Sequence, residues 1–225
     1  MKSSYAPLSA GFVALALFLV TFTLAPQAAR ASEGTGTLYY LDGGRGGGVV
    51  HLYTGSGLLR IAFVSGKYKE IGFRGADGYA YGAIWKVGYH KAQVGLVLDR
   101  AVFTGRFDSA VRPADLLVRR HYALLSKGSY EKAYNHLSSA WKRTQSYDAF
   151  VKGFQEVKFA DTAQTPPSYA LKIIGHNPRE VLVLVDATWF TEGRGGYYRF
   201  TVVREKGSWV IDRSDPITHE KWRDS

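Results

Sequence analysis

The stretch YALLSKGSYEKAYNHLSSAWKRTQSYDAF, residues 122–150, decides how the second half of this chain is interpreted. Its apolar residues recur at spacings of three and four, which predicts amphipathic helices. Gly128 would end one helix, Ser129 is a suitable N-cap for the next, and Ser146 is a suitable N-cap for a third over residues 147–154. The stretch therefore predicts short helices that each bury one face.

The first of these helices begins upstream, where Pro113 suits a first turn. Beyond residue 155 the period of the apolar residues falls to two, which predicts strands. The predicted strands are EVKFA, YALKIIG, EVLVLVDATWF, YYRFTVVRE and SWVID. Because glycine-bearing turns, EGRGG and KGS, join the last three, we expect an antiparallel meander that follows the helices.

The first half of the chain has a different pattern. From Gly36 to about Asp108, tyrosines and β-branched residues alternate between glycine clusters, and five segments suit short strands. Five short strands in so few residues predict a small all-β barrel of the OB or SH3-like kind, without deciding between the two. We therefore expect an α+β protein with a barrel over residues 32–108 and an α+β unit over residues 109–225.

The second unit resembles the nuclear transport factor 2-like superfamily. The resemblance rests on residues 122–150 with their Gly128-Ser129-Tyr130 junction, and on the closing hairpin GSWVIDRSDP with Gly207, Trp209 and Ile211. It implies a cone, in which helices pack on a strongly curved antiparallel sheet. Since that superfamily includes enzymes, adaptors and scaffolds, the fold alone does not give a function.

Residues 1–31 have the pattern of an export signal. Lys2 precedes an apolar run over residues 11–24, and the small-residue site Ala29-Arg30-Ala31 follows it. The run is shorter than the roughly 20 residues that span a bilayer, which favours cleavage before Ser32 over an uncleaved membrane anchor. In either case the folded part is expected outside the cytoplasm, in the periplasm or secreted.

The residue types limit the chemistry that is expected. The chain contains no cysteine, so disulfides and thiolate chemistry are excluded. Its six histidines show no His-x-x-x-His or Glu-x-x-His spacing, and the glycine-rich segment at residues 42–48 lacks the Gly-Lys-Ser/Thr ending of a phosphate-binding loop. We therefore expect neither a metal nor a cofactor.

Asp186 interrupts the apolar strand of residues 181–190 and is the first candidate for a catalytic base. Strand alternation predicts that it lies on the face opposite the cone, where Arg199 or Thr201 would bind it, with Ser214 nearby. The opposite, apolar face would meet the helices. The candidate ligand site inside the cone consists of His121, Tyr122, Tyr134, Trp189, Tyr198, Phe200 and Trp209, whereas His136 is expected to be exposed.

A positive charge characterises the expected mature chain. Residues 1–31 hold two of the 29 basic residues and none of the acidic ones, so 27 basic residues remain against 19 acidic ones. Such a surplus attracts anionic polymers. The barrel half adds tyrosines interleaved with Arg60, Lys67, Lys69, Arg74, Lys86 and Lys91, which is the composition of a surface that stacks rings beside anions. Export makes an envelope polymer a better candidate than nucleic acid.

These observations favour an exported, non-catalytic binding or scaffold protein of the bacterial cell envelope, whose cone binds a small apolar ligand or a partner protein. One alternative is an acid-base enzyme of the isomerase or dehydratase type, with Asp186 or His121 as its base and Tyr122 or Tyr134 as its donor. Another alternative is a homodimeric interaction module whose cone is filled by its own side chains.

Overall fold

A computed structural model of the chain describes residues 32–44, 47–64, 81–93, 95–155, 157, 171–187 and 196–225. The predicted export signal lies outside these residues, as does all of the predicted strand EVKFA except Val157. The described residues form helices and two separate sheets, which confirms the α+β class.

The first sheet is a closed barrel in which the strands follow the order β1-β2-β3-β5-β4. Its strands are β1 (Ser32–Gly44), β2 (Gly47–Thr54), β3 (Gly57–Phe63), β4 (Ala83–Ala92) and β5 (Gly95–Phe107). Strand β1 pairs antiparallel with both β2 and β4, and β3 meets β5 in parallel at Ala62 and Val97. Because β4 returns to lie beside β1, the strand order is that of a Greek key.

The second sheet is an antiparallel meander in the order β6-β7-β8-β9. Its strands are β6 (Leu171–Asn177), β7 (Glu180–Asp186), β8 (Tyr197–Glu205) and β9 (Ser208–Ile217). The helices are α1 (Val111–Ser126), α2 (Tyr130–Asn135), α3 (Ser139–Thr144), α4 (Tyr147–Phe154) and α5 (His219–Asp224). Helices α1 to α4 precede the sheet in sequence, and α5 follows it.

The helices agree with the sequence prediction in part. Helix α4 has the predicted bounds, and Ser146 caps it by accepting from the amide of Ala149 at 3.3 Å. The second helix begins after Ser129 as predicted, but it ends at Asn135, because the chain then leaves the helix and Leu137 forms a bridge with Ile211 of β9. Ser138 then caps the separate helix α3. Helix α5 was not predicted at all.

The start of α1 packs against one end of the barrel at Gly82. The Gly82 amide donates to the carbonyl of Leu38 at 2.9 Å, and its carbonyl accepts from the amide of Asp108 at 2.7 Å. Gly82 has a φ of +86°, and a Cβ at this position would lie 2.5 Å from the amide nitrogen of Arg112. Only glycine therefore allows the helix to approach the barrel this closely.

A buried ion pair lies in the same contact. Asp115 is only 1% exposed, and its Oδ1 accepts from Nε of Arg119 at 2.8 Å. The Arg119 guanidinium in turn lies 5.5 Å from the centre of the Tyr81 ring, in the barrel core. Burial raises the pKa of Asp115, while the charges of Arg119 and Arg112 oppose that effect. Arg119 therefore links the buried carboxylate of α1 to an aromatic ring of the barrel core.

Replacing Gly82 with alanine should reduce stability strongly, because the new Cβ meets the backbone of Arg112 in addition to the strain of the positive φ. Gly105→Ala is the matched control, since Gly105 has a φ of +75° and open space around its Cβ position. Conformational strain should cost about 1–3 kcal/mol in both variants. Urea unfolding should show a clearly larger fall in the free energy of unfolding for Gly82→Ala than for Gly105→Ala. Equal falls would contradict the close approach of α1 to the barrel at Gly82.

Candidate functional site

The register of β7, β8 and β9 decides which side chains enter the cone. Val183 pairs with Phe200 and Val185 pairs with Tyr198, so one face of the sheet is apolar as predicted. A bulge between Thr201 and Val202 then shifts β9 by one residue. As a result Ser214 pairs with Phe200 and lies on the apolar face, so its predicted position beside Asp186 was wrong.

Asp186 pairs with Tyr197 and belongs to the opposite, outer face of the sheet. Of the predicted partners, Thr201 Oγ1 has no hydrogen-bond partner among the described residues, and Arg199 Nη2 donates to Asp215 Oδ2 at 2.8 Å. Asp186 lies close to the barrel. Burial raises the pKa of Tyr40 to about 12, and the charges of Asp42 and Asp186 add to the effect. The carboxylate is therefore placed at the contact between sheet and barrel, away from the cone.

A cavity of about 320 Å³ lies between the helices and the apolar face of the sheet. This is the lower end of the range typical of small-molecule sites. Of the residues proposed from the sequence, the cavity is lined by His121, Tyr122, Tyr198 and Phe200. Lining residues that the sequence analysis missed include Leu125, Trp141, Phe150, Gly153, Phe154 and Ser214.

The remaining proposed residues do not line this cavity. Tyr134 packs at 5.4 Å, centre to centre, against the ring of Phe150, and its hydroxyl donates to the carbonyl of Gln145 at 2.8 Å. It therefore fixes α2 against the segment between α3 and α4. Trp209 is a partly buried residue packed against the core near the β8–β9 turn. Trp189 lies outside the described residues.

His121 is a buried polar residue in the lining of the cavity. It is 3% exposed, and its ring lies among those of Tyr122, His136 and Phe150. A hydrogen bond joins the ring to the backbone of Ala133, while Nδ1 has no hydrogen-bond partner among the described residues. In a neutral imidazole that donates from Nε2, the remaining nitrogen is an acceptor. His121, one of the residues that line the cavity, therefore carries an acceptor that no other described residue uses.

Burial determines the protonation state of this histidine. Desolvation, followed by the neighbouring His136, lowers the pKa of His121 to about 3, although the hydrogen bond to Ala133 opposes the shift. His136 itself is half-buried with an unpaired Nδ1 among the described atoms, so its predicted exposure was wrong. Burial also raises the pKa of Tyr122 far above its usual value. His121 and Tyr122 are therefore both neutral across the physiological pH range.

The tyrosines of the barrel mostly form its core. Tyr39, Tyr40 and Tyr81 are buried, so they cannot belong to the predicted stacking surface. Tyr53 remains partly exposed and stacks on Tyr39 with 5.2 Å between ring centres. Tyr68 and Tyr79, with three of the basic residues of that prediction, Lys67, Lys69 and Arg74, lie outside the described residues.

Within the described residues, no three histidine, aspartate or glutamate side chains are grouped so that they could hold a metal ion. No helix in the same part of the chain is long and apolar enough to cross a membrane. Comparison of the chain with family models, curated protein sequences and solved structures finds no match. The case for a function therefore rests on the geometry of the cavity.

His121→Leu should remove part of the acid sensitivity of the protein. The pKa of His121 is about 3 in the fold against 6.5 for the ordinary group, so the unfolded chain takes up the proton first. The contribution of neutral His121 to stability is then fully present above pH 6.5 and is lost progressively as the pH falls toward 3. Between pH 6.5 and 4.5 the free energy of unfolding of the wild type should fall by about 2 kcal/mol more than that of the variant.

Urea unfolding at half-unit pH steps measures this difference. Leucine replaces an unpaired buried nitrogen with apolar atoms, and the Ala133 carbonyl keeps a donor in the amide of His136 at 3.0 Å. The variant should therefore fold. Parallel stability curves for wild type and variant would contradict the buried neutral histidine.

Proposed function

We propose that this protein is a non-catalytic binding protein whose cone cavity takes an apolar ligand with one hydrogen-bond donor. The observation that carries the proposal is an apolar cavity of about 320 Å³ lined by His121, whose buried Nδ1 has no hydrogen-bond partner among the described residues. An unpaired buried acceptor is costly, and a donor on a ligand would satisfy it. The rings of Tyr122, Tyr198 and Phe200 provide the apolar contacts.

We propose further that the second unit is a nuclear transport factor 2-like cone and the first an OB-type barrel. The helices before a four-stranded antiparallel meander support the former assignment, and the Greek-key order with its parallel β3–β5 contact supports the latter. The export pattern of residues 1–31 supports an envelope or secreted location for the folded chain, either released or held by an uncleaved anchor. The ligand would then come from that environment.

The acid-base enzyme is less well supported by this geometry. Asp186 lies on the outer face of the sheet, so it is not available to a substrate in the cone. His121, with a pKa of about 3, is a weak base at neutral pH, and the raised pKa of Tyr122 makes it a weak acid. A general acid or base is most effective when its pKa lies near the working pH. The pair suits recognition better than proton transfer.

The homodimer alternative would need a free outer sheet face and a filled cone. The cavity argues against the filled cone. Part of the outer face is already covered, since Lys172 of β6 contacts the Tyr40 ring of the barrel and the Trp222 ring of α5. A face that the chain covers itself offers less surface to a second copy.

The probe N-phenyl-1-naphthylamine tests the proposal, because it is apolar, carries one N–H and fluoresces strongly when it leaves water. We expect saturable, one-to-one binding to residues 32–225. Gly153→Phe should abolish it or weaken it by at least about tenfold, since Gly153 lines the cavity and has open space for a side chain. Lys152→Phe, an exposed neighbour on the same helix that does not line the cavity, should bind as the wild type does.

His121→Leu tests the proposed hydrogen bond from the N–H of the probe to Nδ1 of His121. It should weaken binding of the probe by about three- to tenfold, the value of one neutral hydrogen bond. The affinity for the N-methylated probe, which has no N–H to donate, should be the same in the variant and the wild type. Equal binding by Gly153→Phe and Lys152→Phe would contradict the cavity as the site, and an enzymatic turnover abolished by His121→Leu would contradict a non-catalytic role.

A further inference from the structure

A second recess lies on the other side of the sheet, where the barrel, β6 and α5 meet. It has a volume of about 300 Å³ and a mostly polar lining. Basic and aromatic side chains dominate that lining, among them Tyr40, His51, Arg60, Lys172, Trp222 and Arg223. Three separate elements, β3, β6 and α5, thus each direct a cation to one place.

Lys172 is the buried member of this group. It is only 5% exposed, and its Nζ donates to the carbonyl of Trp222 at 2.6 Å. The same nitrogen lies 4.7 Å from the centre of the Tyr40 ring and 4.9 Å from that of the Trp222 ring. Among the described residues, no carboxylate lies within ion-pair distance of it. A buried cation is costly without a counter-ion, and a carbonyl with two rings compensates for only part of that cost.

Basic side chains outnumber acidic ones in the lining of this recess. Arg60 and Arg223 are exposed at its edge, and Asp42 is the acidic side chain in its lining. Arg223 is partly neutralised by Asp224 at 3.0 Å, and Arg60 Nη2 lies 3.5 Å from the main-chain oxygen of Ser225. Burial, followed by the charges of Arg60 and Lys172, lowers the pKa of His51 to about 4, so this ring is a neutral donor or acceptor.

We infer that this recess binds a phosphate group, carried either by a soluble phosphate ester or by a lipid head group. Lys172 would provide the buried counter-charge, and Arg60 and Arg223 would close over the anion from the edge. A tetrahedral phosphate suits such a site better than a carboxylate does, because it offers oxygens in several directions to cations from three elements. The volume leaves room for a small substituent on the phosphate.

The electrostatics of Lys172 agree with this assignment. Burial and the charge of Arg60 lower the pKa of the Lys172 amine, while Asp42 and Asp224 act in the opposite direction. A bound anion would act in the same direction as these carboxylates. The amine of Lys172 should therefore react more slowly with acetic anhydride when phosphate is present, as measured by mass spectrometry of the labelled peptides.

Calorimetric titration of residues 32–225 with inorganic phosphate at neutral pH and low salt tests the site. Arg60→Gln should raise the dissociation constant about tenfold, because a charge-assisted hydrogen bond is lost. Arg143→Gln removes the same charge from α3, where Arg143 is exposed and outside this recess, and should change binding by less than about twofold. Lys172→Met should also weaken binding, and if that variant does not fold, Arg60→Gln decides the result alone.

Vesicles of phosphatidylglycerol distinguish the two sources of the phosphate. Binding that is reduced by Arg60→Gln and displaced by inorganic phosphate would assign a lipid head group. Phosphate binding without such vesicle binding would assign a soluble ester. The inference is overturned if the wild type binds neither, or if Arg60→Gln and Arg143→Gln weaken binding equally. Gly153→Phe should leave phosphate binding intact, so this result does not depend on the proposed role of the cone.

Discussion

The carboxylate of Asp108 fixes the barrel, the first helix and the second sheet relative to one another. Its Oδ1 accepts from the amides of Ala110 and Val111 at 2.9 Å each, so it closes the first turn of α1. Its Oδ2 lies 3.3 Å from Nε2 of His176, whose Nδ1 contacts the hydroxyl of Tyr39. Burial alone would raise the pKa of Asp108, but the hydrogen bonds from His176 and the two amides lower it to about 2. The charged carboxylate is therefore the form that the fold stabilises.

Both candidate sites depend on the elements that this junction connects. The direction in which α1 leaves Asp108 determines that His121 and Tyr122 point into the cone. On the other side, β6 contacts β1 twice, through His176 with Tyr39 and through Lys172 with Tyr40. Adjacent tyrosines of one barrel strand therefore serve the junction and the cationic recess. Displacing β6 from the barrel would open the recess and release α1 together.

The sequence predicts the elements better than the contacts between them. Local signals were sufficient for α4, whose cap at Ser146 lies within four residues, and strand alternation placed Asp186 on the outer face. The alternation of side chains along a regular strand could not predict the bulge at Val202. That bulge places Ser214 on the face of the sheet that meets the cone. The separate helix α3 depends on a bridge between Leu137 and Ile211, which are far apart in the chain. Asp115 and Arg119, by contrast, have the i, i+4 spacing that a charge analysis of α1 would find.

Three buried polar side chains show how burial relates to binding in this fold. Asp115 is paired with Arg119 within its own helix, and the Arg119 guanidinium in turn contacts the Tyr81 ring of the barrel. His121 avoids the cost of charge by remaining neutral, which leaves one ring nitrogen with an unused lone pair. Lys172 is supported by two rings and one carbonyl, although an ammonium group has three hydrogens to donate. His121 and Lys172 each line a recess and keep hydrogen-bonding capacity beyond the contacts that they make among the described residues, so both are suited to a ligand. Since His121 and Lys172 lie on opposite sides of one sheet, the strand pleat that separates Phe200 from Arg199 also separates the apolar cavity from the cationic recess.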